Sequence, residues 1–237
     1  TITDMTYNNT TAAIRKTLIL LVALPLAVSA FAQNNSSPYS MFGLGSFNTK
    51  GDVRSFGMGG AGLALPSENG LGNLNVASLA GLDSLLFYID LQTKATLTNY
   101  STTSQSEQVF DSNFDNLSFG FKAGSWWGVG FGLSSLSQTD YNIQTENYIQ
   151  GTLSKYTILY EGQGGLSKAY WSNGWRLAKG LSVGLNAAYI WGNLITSRTS
   201  TFTQINGETL QNEPTYYLHN MIWDAGLQYH YSWNKSK

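Results

Sequence analysis

Residues 57 to 62 read Gly57-Met58-Gly59-Gly60-Ala61-Gly62. This matches G-x-G-x-x-G, the spacing that cradles a dinucleotide pyrophosphate, and Asp83 follows Gly62 by 21 positions, near the place of a ribose-binding carboxylate. That chemistry needs a strand before the glycines and a helix after them. Here TKGDVRS precedes, polar and turn-like, and LALPSENG follows, where Pro66 and Gly70 stop a long helix. The glycines are therefore expected to permit positive φ angles and close backbone packing. No nucleotide or other cofactor is expected.

Other reactive groups are sparse. His219 and His230 are the only histidines. A metal site needs more ligands at suitable spacing, so none is expected. No serine is singled out as a nucleophile with a histidine and an orienting group, so the chain is expected not to be an enzyme. Asp90, Lys122, Glu161, Asn186, Asp224 and Gln228 fall on the polar sides of their segments and are expected to form a solvated lining.

The elements that carry these residues follow from the N-terminus and the composition. Residues 14–33, IRKTLILLVALPLAVSAFAQ, join a positive start at Arg15-Lys16, an apolar run from Leu18 to Val28 broken by Pro25, and a small-x-small site at Ala30-Phe31-Ala32. This is the layout of a secretory signal peptide cleaved after Ala32, too short for the ~20 apolar residues of a spanning helix. Residues 1–13 read as an upstream extension. The remaining 205 residues contain no cysteine, so disulfides do not hold this exported fold. Charged residues are 11%, against about 25% in soluble domains, while aromatics reach 14% and mean hydropathy is only -0.15. A net charge of -1 gives no basic face for nucleic acid. An exported chain poor in charge and rich in glycine and aromatics points to an outer-membrane β-barrel of a Gram-negative bacterium, with the lipid bilayer as partner.

Alternation supports this. In 181–193 the odd positions Leu181, Val183, Leu185, Ala187, Tyr189 and Trp191 are apolar, and the even ones are mostly small or polar. In 221–233 Met221, Trp223, Ala225, Leu227, Tyr229, Tyr231 and Trp233 share one face, with aromatics at both ends as at two lipid–water interfaces. Weaker copies occur at 84–94, 115–123 and 127–135. Segment 157–171 is the least regular, with Gly162, Gly164 and Gly165 suggesting a bulge or a close approach. The class is thus all-β, a transmembrane antiparallel barrel with six strands present. Long polar loops are expected near 99–112, 136–155 and 196–217, and tight turns at Gly124–Trp126, Ser172-Asn173-Gly174 and Lys179-Gly180. Closed barrels need about eight strands, so the strands at 83–237 are expected to be part of a larger barrel.

Residues 33–82 do not alternate. Ten glycines separate Phe42, Phe47, Phe56, Met58, Leu63, Leu65, Leu71, Leu74 and Leu79. Such a segment needs covering, and a barrel lumen would supply the cover. Its stretches Ser37-Pro38-Tyr39-Ser40-Met41-Phe42-Gly43-Leu44-Gly45, Met58-Gly59-Gly60-Ala61-Gly62-Leu63-Ala64-Leu65 and Asn75-Val76-Ala77-Ser78-Leu79-Ala80-Gly81-Leu82 come in order before the first strand. Together they resemble the N-terminal region of the FadL-type outer-membrane transport proteins. The resemblance implies a fourteen-stranded barrel with an N-terminal hatch and passive uptake of long-chain fatty acids or hydrocarbons. Asn75 and Ala77 match the family's Asn-Pro-Ala motif, with Val76 in place of the proline. Some relatives instead serve secretion machinery, so a partner barrel without small-molecule cargo is the alternative. For a hydrophobic ligand, the candidate residues are Phe56, Met58, Leu63, Leu65 and Leu74 in the hatch, and Tyr88, Leu159, Ile190 and Ile222 on predicted inward faces. Gly57, Gly59, Gly60, Gly62, Asn75 and Ala77 are the candidate hatch motif.

Overall fold

The computed structural model describes residues 37–65, 70–71, 74–84, 86–103, 106–151, 154–202 and 208–231. The expected signal peptide, Leu85 and Trp233 lie outside the described residues. Chain contacts divide the protein into two compact units. In the first, residues 95–113 carry the turn-proximal ends of two strands, where Asn113 Nδ2 donates to Asp111 Oδ1 at 2.5 Å. The second holds residues 35–94 and 114–237, with the remainder of those two strands and the candidate site.

The strands are β1 (Ser46–Phe47), β2 (Phe87–Ser101), β3 (Ser106–Gly124), β4 (Trp127–Tyr148), β5 (Lys155–Ala178), β6 (Leu181–Phe202), β7 (Thr209–Asn212) and β8 (Thr215–Tyr229). They form one eight-stranded antiparallel sheet in the order β2-β3-β4-β5-β6-β7, with β8 also on β6 and β1 on β4. The sheet is not closed, since no pairing joins β2 to β8 among the described residues. Among the described residues no helix is long and apolar enough to cross a membrane. The helical pieces described are short: 3-10 turns at Pro38–Met41 and Val76–Gly81 and a helix at Val53–Gly57. Asp52 caps that helix by accepting from Ser55 N at 2.8 Å, while Ser55 Oγ accepts from Asp52 N at 3.0 Å.

The six long strands lie where alternation predicts them, but they run much further. The loops expected at 136–155 and 196–217 are largely strand, and β4, β5 and β6 have 22, 24 and 22 residues. In β4 and β6 these extensions are mostly Thr, Ser, Asn, Gln and Tyr on both faces, so apolar contrast fades while backbone pairing continues and Thr and Tyr still favour a strand. The turn expected at 172–174 is also absent, because β5 passes straight through it. The chain reverses instead at Lys179-Gly180, where Gly180 takes φ 85°.

Alternation divides the sheet into two faces. One row of the open face runs Phe119–Phe131–Trp171–Ala187–Trp223 across β3, β4, β5, β6 and β8. Its neighbour runs Leu117–Leu133–Ala169–Tyr189–Met221. Phe131, Leu133, Trp171, Tyr189, Met221 and Trp223 are exposed, Trp223 by 72%. A contiguous apolar surface of this extent is unusual for a water-facing sheet. The opposite face is glycine-rich and polar, and Leu71 and the turn Val76–Gly81 lie on it. Leu71, Leu79 and Leu82 are buried there, with Tyr88 packed against them.

Candidate functional site

Four glycines stand in register across four strands: Gly128 pairs with Gly174, Gly174 with Gly184, and Gly184 with Gly226. The row is a trough without side chains, and the 3-10 turn Val76–Gly81 fills it. A β carbon at Gly174 would lie 2.8 Å from Ala80 N, one at Gly184 2.5 Å from Ala77 N, and one at Gly128 would collide with the Leu79 carbonyl. Glycine is needed because a backbone passes directly over the sheet. One row further on, Leu79 lies over Gly130 and Leu71 over Gly120. Ala77, Ser78, Leu79, Ala80 and Leu82 are accordingly buried.

Side chains fasten both ends of this turn. Asn75 Oδ1 accepts from Ala77 N at 3.0 Å, and its Nδ2 donates to Leu227 O at 3.1 Å and Leu63 O at 3.2 Å. One side chain thus caps the turn, ties it to β8 and holds the preceding loop. Ser78 Oγ donates to Asn75 O at 2.6 Å. At the far end Arg176 donates to Ala80 O at 2.9 Å. Gln228 Nε2 donates to Ala64 O at 2.8 Å.

Beyond the glycine row the same face turns polar. Ser172 Oγ donates to Asn186 Oδ1 at 2.8 Å, and Asn186 Nδ2 donates to Asp224 Oδ2 at 3.0 Å, across three neighbouring strands. Tyr170 OH donates to Asn116 Oδ1 at 3.1 Å, and Asn116 Nδ2 donates to Ser118 Oγ at 3.1 Å. Lys50 Nζ lies 3.6 Å from Asp224 Oδ1. These groups border a cavity of about 330 Å³, with Asp115 and Lys168 also in its wall.

The sequence-predicted residues divide unequally around this cavity. Leu63, Leu74 and Asn75 line it. Phe56, Met58, Leu65, Tyr88, Leu159, Ile190 and Ile222 are not among its lining, and Phe56 and Met58 are exposed. Gly59 and Gly60 take φ 70° and 86° with open space around them, and Gly62 takes φ 140° against Leu74 and Leu65. Gly57, at the end of the short helix, has no positive φ. Ala77 is fully buried on the glycine row. Among the expected polar lining, Asn186 and Asp224 belong to the hydrogen-bonded network, Gln228 holds the loop at Ala64, and Glu161 accepts from Asn142 at 3.2 Å. His219 lies within β8, and His230 just past it donates its backbone N–H to Gly180 O at 2.7 Å. No group of three metal-binding side chains occurs among the described residues.

Sequence reasoning missed Gly128, Gly174, Gly184 and Gly226. Each stands on the small-residue side of its own strand, unremarkable alone. Counting outward from the turn at 179–180 would set Gly184 opposite Trp175, and only the bulge between Arg176 and Ala178 brings Gly174 opposite Gly184, so no simple sequence signal marks the row. Chemically the site is a docking bed for backbone beside a cavity whose wall mixes charged and hydrogen-bonded groups with Leu and Phe side chains. The apolar residues proposed for an acyl chain do not converge on one pocket.

The BamG family model matches residues 13–237. No curated protein and no solved structure matches the chain. The family match corrects the FadL-type resemblance, and with it the expectations of fatty-acid transport and of a porin-like role. The misreading has a physical source. The stretch with the Asn75-Val76-Ala77 turn docks its backbone on the glycine row, so it reports that docking rather than a cargo.

Proposed function

Since the chain belongs to the BamG family, we propose that it is an outer-membrane β-barrel component of the BAM complex, serving outer-membrane protein assembly as a partner subunit. The family match is the observation that carries this reading. In it, the open face, with its rows of Phe, Leu, Trp, Tyr and Met, meets lipid, where alternating strands hide their polar groups from the bilayer. The covered face becomes a lumen lining, and residues 37–82 act as a resident plug rather than a gate for cargo. The backbone seating of Val76–Gly81 on the glycine row favours a structural plug. The subunit is not an enzyme in this account. Depleting it in the native Gram-negative host tests the role. Folded outer-membrane barrels should fall in abundance while uptake of labelled fatty acid stays unchanged. Unchanged barrel levels would contradict it.

A further inference from the structure

Past Ser134 the β4 edge changes neighbour. The β3–β4 register ends at Asn116 and Ser134 among the described residues, and a bulge follows between Ser135 and Ser137. From there the chain's own N-terminal segment occupies the edge. Ser46 and Phe47 pair with Gln138 and Ser137. Asn48 N donates to Leu136 O at 2.9 Å and Asn48 Nδ2 to Ser135 O at 3.3 Å. Ser37 N donates to Asp140 O at 3.0 Å, and Ser40 Oγ donates to the same oxygen at 2.9 Å.

This segment is held by backbone pairing rather than by an apolar core. Tyr39, Phe42 and Phe47 are 74%, 70% and 60% exposed. Beneath it Ser137 Oγ and Thr139 Oγ1 are buried without a hydrogen-bond partner, which weakens the packing. Two residues pair as a strand, and the bonds of Ser37, Ser40 and Asn48 to the same edge, including Asp140 N to Ser40 Oγ at 3.1 Å, must break with them for the segment to leave. Gly45, at φ 84°, sets the close approach, since a β carbon there would collide with Thr139 Oγ1 and the Gln138 carbonyl.

We propose that the β4 edge at residues 135–140 is a strand-acceptor site. Gly45–Asn48 occupies it in the isolated chain, and an extended strand from another polypeptide takes its place. A vacated edge presents unpaired N–H and C=O groups, the template for strand addition. In this mode main-chain bonds supply affinity and alternate side chains supply selectivity. Here the selectivity is for glycine at the position of Gly45. The inference goes beyond the assembly reading and does not depend on it.

The test uses the purified full chain in detergent and a labelled peptide of residues 43–50, GLGSFNTK. The chain has no cysteine, so Ser46→Cys with Gln138→Cys adds the only thiols, on directly paired residues. Reduced protein should bind the peptide, and oxidation should weaken binding at least tenfold, reversibly. A peptide with valine at the position of Gly45 should bind at least tenfold more weakly than the parent. Equal binding in both redox states, or equal binding of the two peptides, overturns the proposal. The unmodified chain supplies an independent reading by hydrogen exchange. Excess peptide should raise exchange in 42–48 and leave 135–140 protected, and unchanged exchange in 42–48 also overturns it.

Discussion

A β carbon on Gly184 would lie 2.5 Å from the amide nitrogen of Ala77. The strand residue and the N-terminal turn therefore fit only while position 184 has no side chain. Gly184→Val must push residues 76–81 off the sheet or distort β6, a cost of about 1–3 kcal/mol by analogy with overpacked cores. Limited proteolysis should show new cleavage between 60 and 82, with the strands intact. Gly60→Ala is the control. Gly60 takes φ 86° with open space around it, so the change strains one turn by about 1 kcal/mol and leaves 76–81 docked.

Asn75→Ala removes one acceptor and two donors at once: the bonds to Ala77 N, Leu227 O and Leu63 O. The group is partly accessible, so water replaces some of them, and the expected loss is about 1–2 kcal/mol. Hydrogen exchange of Ala77 and Ser78 should speed up well before the strand amides change. Uniform acceleration across all strands would mean that Asn75 supports the whole sheet instead of the turn.

Asp224 has two partners of unequal value. Its bond to Asn186 lies in a network with Ser172, whose side chain is buried, whereas Lys50 and Asp224 form an ion pair with side chains 54% and 41% exposed. Lys50→Ala should therefore cost less than about 1 kcal/mol. Asp224→Ala should cost about 1–3 kcal/mol, because the Asn186 amide loses its acceptor. Denaturation midpoints of the two variants and of the double variant check this order. A larger loss for Lys50→Ala would reverse the assignment.

Trp223 tests what the open face meets. It is 72% exposed on the apolar row with Phe119, Phe131 and Trp171. If that face meets lipid, Trp223→Lys should reduce folding into vesicles by about 2–4 kcal/mol, while Trp223→Phe should be nearly silent. In a water-facing sheet the lysine variant would fold as well as the parent.

Much of this architecture is legible in the sequence. The six long strands follow from alternation wherever one face is apolar, as in Leu181–Trp191 and Met221–Tyr229. It fails beyond about residue 136 in β4 and residue 195 in β6, where Thr, Asn, Gln and Tyr fill both faces and no contrast remains. The strands β1 and β7 have two and four residues, too few for any period to register. The N-terminal glycines were read as permitting positive φ, and Gly59, Gly60 and Gly62 take it. The seating of Val76–Gly81 was not legible, because Gly128, Gly174, Gly184 and Gly226 become one trough only when four strands pair in register. The apolar hatch residues suggested a cargo pocket because composition cannot distinguish side chains that face a ligand from those, like Leu79, that pack on bare sheet backbone.

The central claim is membership of an outer-membrane assembly complex, and affinity purification of the full-length tagged protein from mildly solubilised native membranes tests it most directly. The account predicts co-elution with BAM components at constant stoichiometry through a second, size-based separation. Elution as an isolated barrel free of those components, from membranes in which the complex itself remains intact, would contradict it.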